Sequence, residues 1–107
     1  MPAFERVRES CLDDAAYSRL QDLLLLEPEL GDLIQGSGGI RKLRFRDTRR
    51  GKGKRGGLRV IYYYRSGKAE FWLFTVYDKN EMADLTREQK DKLRAQLKAE
   101  LRKRKLN

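Results

Sequence analysis

Apolar residues recur at two different periods along this chain, and the changes of period divide it into elements. Between Asp13 and Glu27, the residues Tyr17, Leu20, Leu23 and Leu24 share one face at helical spacing, and Leu25 and Leu26 widen it. Asp13 is a good N-cap for this helix. Pro28 limits it, because the residue before a proline avoids the α region. Residues 29–34 suit a second helical turn, after which Gly36, Gly38 and Gly39 break the chain. Residues 3–10 carry a weaker strand pattern. From residue 40 the period becomes two, with Leu43 and Phe45 on one face and Lys42, Arg44 and Arg46 on the other. Residues 58–65 are rich in β-branched and aromatic side chains and read as a strand. Residues 69–77 are apolar on both faces and are expected to form the most buried strand. Ser66 and Gly67 between these two runs suit a tight hairpin. Thr86 and Gln89 form a capping box, and Leu93, Leu97 and Leu101 line one face of the helix it opens. The tail from Arg102 to Lys105 is expected to fray.

The predicted order is β-α-α-β-β-β-α, an α+β fold in which helices pack on a small antiparallel sheet. A length of 107 residues suits one domain, spanning 1–107. Hydrophobic residues make up 39% and charged residues 38%. The periodicity argues for a folded domain with a highly charged surface rather than a disordered chain.

The placement of charge is more informative than its total of +9. Residues 1–40 hold three basic and eight acidic groups, whereas residues 41–65 hold eleven basic groups and only Asp47. Such a concentration creates a positive field that attracts polyanions. Cys11 is the only cysteine, so a reducing compartment is the simplest reading. The N-terminus shows no signal-peptide pattern, and the run from Leu23 to Leu26 is too short to span a bilayer. A soluble, cytoplasmic protein with no membrane partner is expected.

Within the basic segment, residues 49–57 interleave Arg49, Arg50, Lys52, Lys54 and Arg55 with glycines. Glycine lets backbone approach a ligand, and the cations offer charge to phosphates. A mobile, solvated hairpin loop has the same composition. Gly51, Gly53 and Gly56 satisfy a dinucleotide-type spacing, but here the motif opens a strand rather than a helix, which excludes that reading. Arg59 sits among apolar residues and shares a strand face with Ile61 and Tyr63. It either bridges across the sheet, for instance to Glu70, or holds a phosphate with its planar fork. The run from Tyr77 to Glu81, including Lys79, is either an ordinary polar turn or a cluster able to move protons. Tyr62, Tyr63, Tyr64 and Trp72 can stack on bases, although strands favour aromatics for packing alone. The chain has no histidine, which excludes histidine-based acid/base and nucleophile devices and any Cys/His metal cluster. A metal-dependent nuclease is disfavoured, and no cofactor is expected.

The run from Gly56 to Tyr64, with that from Phe74 to Glu81 and that from Gly38 to Phe45, resembles the RelE/ParE toxin superfamily in its HigB-type branch. The resemblance covers nearly the whole chain. It implies a curved antiparallel sheet with two N-terminal helices and a C-terminal helix. It also implies a toxin of a toxin–antitoxin system, an mRNA interferase that cleaves messenger RNA in the ribosomal A site without a metal and so inhibits translation. Lys52, Lys54 and Arg59 match the family's loop lysines and strand arginine, and Tyr77 and Lys79 match its polar cluster. Lys42, Arg44, Arg46, Arg49, Arg50, Arg55, Tyr63 and Glu81 are the RNA-binding candidates beside these catalytic ones. The implied partners are messenger RNA, the ribosome and a cognate antitoxin with a helix-turn-helix DNA-binding domain. Members carrying a histidine or arginine in the polar cluster differ from this chain, in which Lys52, Lys79, Tyr77 and Glu81 remain alternative proton carriers. A non-catalytic RNA- or ribosome-binding module would use the same patch. A ParE-like toxin acting on gyrase would share the fold but typically lacks the dense cations.

Overall fold

A computed structural model describes residues 14–45, 57–65, 67, 70–78 and 84–106. The expected first strand at residues 3–10 and the basic stretch 46–56 lie outside the described residues. Helix α1 (Asp14–Leu26) is followed by strands β1 (Asp32–Leu33), β2 (Ile40–Phe45), β3 (Leu58–Arg65) and β4 (Glu70–Asp78), and then by helix α2 (Arg87–Leu106). The four strands form one antiparallel sheet in the order β1-β2-β3-β4. The architecture is α+β, as the change of hydrophobic period predicts.

Each helix covers one face of the sheet. Ala16, Leu20 and Leu24 recur every four residues on α1 and pack against Leu43, Phe45, Val60, Tyr62 and Val76. Leu93 and Leu97 of α2, with Leu85 just before it, pack against Ile40, Ile61, Trp72, Phe74 and Tyr77 on the other face. The apolar face of α1 is narrower than expected, since Leu25 and Leu26 are exposed. The capping box forms as predicted: Thr86 N donates to Gln89 Oε1 at 2.8 Å, and Gln89 N donates to Thr86 Oγ1 at 3.1 Å. The helix it opens does not fray after Leu101 but continues to Leu106. Arginine and lysine are good helix formers, and cations near a helix C-terminus complement its dipole.

The second helical turn expected at residues 29–34 is replaced by a turn and the short strand β1. Tertiary bonds take up the backbone groups that such a helix would need. Tyr62 Oη accepts from Gly31 N and donates to Pro28 O, both at 2.9 Å. Arg41 Nη1 donates to Gly31 O at 2.7 Å and Glu29 O at 3.1 Å, and its Nη2 reaches Glu29 Oε2 at 3.2 Å. The Tyr62 ring that organises this turn is wholly buried. A Cβ on Gly31 would stand 2.8 Å from Tyr62 Cε1 and 3.1 Å from Lys42 O. Neither neighbour is free to retreat. Gly31→Ala is therefore expected to destabilise the fold by about 1–3 kcal/mol, read as a lower midpoint in thermal or urea unfolding.

The strand expected to be most buried is not the central one. Strand β3, between β2 and β4, has four consecutive buried residues, Arg59 to Tyr62. Strand β4 lies outermost on its side among the described strands. Its two apolar faces have two separate causes. It is covered by a helix on each side, and it carries a β-bulge. Ile61 pairs with Thr75 and Tyr62 with Leu73, so Phe74 is an extra residue on β4.

Candidate functional site

Three of the predicted site residues lie in one row across three strands. Arg44 on β2 is directly opposite Arg59 on β3, which is directly opposite Tyr77 on β4. Residues opposite each other across a ladder point to the same face, here the face that α2 covers. The next position along this face of β2 is Lys42, opposite Ile61. The row sits one residue from the ends of the strands, because β2 stops at Phe45, β3 starts at Leu58 and β4 stops at Asp78. The sequence placed between those ends, from Arg46 to Gly57, contains six cations, and Lys79 directly follows Asp78.

The row grades from solvent to interior. Arg44 is exposed, whereas Arg59 is 7% exposed and Tyr77 also 7%. A guanidinium this deep needs partners, and Arg59 has them within the fold. The expected bridge from Arg59 to Glu70 is not the arrangement found. Glu70 lies at the far end of the hairpin, opposite Arg65, and pairs with it at 3.5 Å, while Arg65 also lies over the Trp72 ring at 5.7 Å. Tyr77 Oη is buried and has no hydrogen-bond partner among the described residues. Burial chiefly raises the Tyr77 pKa, the Asp84 carboxylate raises it further, and the Arg59 guanidinium opposes both. The phenol is therefore a neutral donor at physiological pH rather than a ready base.

Asp84 is the functional neighbour that the sequence did not disclose. Its Oδ1 accepts from Leu85 N at 2.8 Å and pairs with Lys42 Nζ at 3.3 Å. The Leu85 N–H first, and then Lys42, hold the Asp84 pKa below its ordinary value, against some desolvation. Lys42, read as a phosphate grip, thus has an internal counter-ion that ties β2 to the start of α2. Only a chain position two residues before the capping box hinted at Asp84, because its partner is distant in sequence. A lowered folded pKa means that Asp84 stabilises the fold above the ordinary carboxylate range and stops doing so as pH falls through the lowered value. Asp84→Asn is expected to reduce stability at neutral pH by less than about 1 kcal/mol, since the carboxylate is largely exposed. Thermal unfolding should show that difference vanishing in acid.

Tyr63 shares the face but not the row. It lies four positions along β3 from Arg59, roughly 13 Å away, and its ring packs on Trp72 with centroids 5.4 Å apart. The catalytic candidates Lys52, Lys54 and Lys79, and the RNA-binding candidates Arg46, Arg49, Arg50, Arg55 and Glu81, lie outside the described residues. Among the described residues, no group of three or more His, Cys, Asp or Glu side chains is arranged to hold a metal ion. No described helix is long and apolar enough to cross a membrane.

The arrangement offers two strand-borne cations, one of them fixed by burial, beside a neutral phenol. That set can bind a phosphodiester, stabilise charge on its oxygens and donate a proton. The profile described as the RelE toxin of the RelE/RelB toxin–antitoxin system matches residues 8–107, nearly the whole length. The chain belongs to the RelE toxin family and is the toxin component of a toxin–antitoxin system.

Proposed function

We propose that this toxin is a metal-independent endoribonuclease of the HigB-type branch that cleaves messenger RNA in the ribosomal A site and so stops translation. The observation that carries the reading is the row Arg44–Arg59–Tyr77, set at the strand ends from which the cationic sequence 46–56 departs. In the reaction, the RNA 2′-oxygen attacks the adjacent phosphorus and the bond to the 5′-oxygen breaks. This leaves a cyclic phosphate on one product and a 5′-hydroxyl on the other. Arg59, with Arg44 and Lys54, stabilises the extra negative charge on the phosphoryl oxygens. Tyr77 donates a proton to the departing 5′-oxygen, a role suited to a phenol held neutral by burial. Lys52, Lys79 or Glu81 accepts the 2′ proton. A lysine among other cations has a lowered pKa and can serve. A weak base suffices if the ribosome holds the RNA in line, since orientation alone contributes roughly 7–11 kcal/mol. The cations Arg46, Arg49, Arg50 and Arg55 bind flanking phosphates, and Lys42 does so by exchanging Asp84 for one. A cytoplasmic antitoxin with a helix-turn-helix domain completes the system.

The experiment is to add the purified protein to a translating extract and map the new RNA ends. Cuts within translated codons, with far slower cleavage of naked RNA, are expected. Equal cleavage of naked RNA removes the ribosome from the proposal. Ribosome binding without any new ends favours a non-catalytic module.

A further inference from the structure

Helix α2 carries a second set of cations that the row does not use. Arg87, Arg94, Lys98 and Arg102 are all exposed. At 3.6 residues per turn they fall within an arc of roughly 80° that borders the sheet-packed face of Leu93, Leu97 and Leu101. The stripe is about 22 Å long, and its last three members are spaced about 6 Å apart along the axis. That spacing is comparable to the step between successive phosphates of an RNA strand. Among the described residues, none of the four has an ion-pair partner, whereas Lys92, outside the arc, pairs with Glu88 at 3.9 Å. Only Asp91 interrupts the stripe with negative charge.

The position of the stripe relates it to the row. Asp84 and Leu85, just ahead of α2, lie against Lys42 and in the cluster that contains Tyr77. Leu97 lies near Gly38, at the other end of the sheet. The helix thus starts beside the row and runs away from it, and Arg87 lies nearest the row. Such an exposed cationic face gains affinity for a polyanion by releasing its condensed counterions.

We infer that the Arg87–Arg94–Lys98–Arg102 face of α2 is a docking rail for the phosphate backbone of ribosomal RNA, separate from the site that acts on messenger RNA. The inference rests on the ribosome-dependent reading above. On that reading, one face of α2 holds the sheet and the exposed stripe beside it holds the ribosome, so that the row is presented to the messenger.

The test measures binding of the full-length protein to purified ribosomes at several salt concentrations, alongside messenger cleavage. The triple variant Arg94→Gln, Lys98→Gln and Arg102→Gln keeps good helix formers. Its ribosome affinity should fall on the order of tenfold to a hundredfold, and its salt slope should drop by about 2–3. Cleavage at saturating protein should stay near wild type. The charge-preserving variant Arg94→Lys and Arg102→Lys should retain affinity. The off-stripe variant Lys92→Gln and Lys103→Gln should lose far less. Unchanged affinity in the triple variant overturns the inference, as does an equal loss in the off-stripe variant, which would reflect net charge alone. Stripe-dependent binding by a wild type that makes no RNA ends overturns the nuclease reading and leaves the rail standing.

Discussion

Arg59→Ala is expected to lower messenger cleavage by roughly a hundredfold to a thousandfold, the loss typical of removing one donor to a developing oxyanion. Arg59 is the cation in the row whose position is fixed by burial, so its fork is already oriented before RNA arrives. The exposed Arg44 has no such constraint, and its loss should cost less. Truncation of a buried arginine also threatens the fold, because the interaction Arg59 makes there is lost. Arg59→Lys separates the two effects. It keeps the charge and most of the volume but not the planar fork. Cleavage should remain well below wild type while far-UV circular dichroism and the unfolding midpoint stay close to it. A folded Arg59→Ala protein that cleaves at the wild-type rate would remove Arg59 from the mechanism.

Tyr77→Phe is expected to move stability and activity in opposite directions. The phenol oxygen is buried without a hydrogen-bond partner among the described residues, an arrangement that costs about 1–3 kcal/mol. Replacing it by hydrogen should leave stability unchanged or raise it. Cleavage should fall by roughly a hundredfold or more, the contribution of a positioned general acid. The pH dependence provides a second check. Because the folded pKa lies above that of the free phenol, the difference contributes stability below the ordinary phenol range and is lost as pH rises through the raised value. Alkaline unfolding should be less steep in Tyr77→Phe than in wild type. Some steepness should persist, because the Tyr62 pKa is also raised, chiefly by burial. Full cleavage by a stable Tyr77→Phe protein would assign the leaving-group proton elsewhere.

Much of this was readable in the chain because local signals and tertiary demands agreed. The alternation of residues 40–46, the capping box at Thr86 and Gln89, and the leucine face of α2 each depend on neighbours within a few residues. Reading failed where distant groups decided the outcome. Residues 29–34 have helical potential, but the Tyr62 hydroxyl and the Arg41 guanidinium, from strands later in the chain, capture their backbone. The Lys42–Asp84 pair spans 42 positions and leaves no periodic trace. Arg59 was identifiable as a cation out of place in an apolar run, and Tyr77 as the start of a polar run at a strand end that an ordinary turn would explain equally well. That they meet in one row depends on strand register, which no single strand encodes.

The extra residue at Phe74 has a consequence for how this surface can change. Trp72 and Tyr77 are an odd number of positions apart, so a regular strand would send them to opposite sides of the sheet. They share one cluster because the bulge resets the alternation between them. In this respect Phe74 behaves like an inserted letter in a two-letter reading frame. Deleting it would leave Trp72 and Tyr77 four positions apart, so a regular strand would still turn Tyr77 toward α2, opposite Arg59, and Val76 toward α1. Single substitutions at the row adjust its chemistry by degrees. A one-residue gain between Phe74 and Tyr77, unless a second bulge absorbed it, would turn the phenol out of the row at once, with the composition of the row itself unaltered.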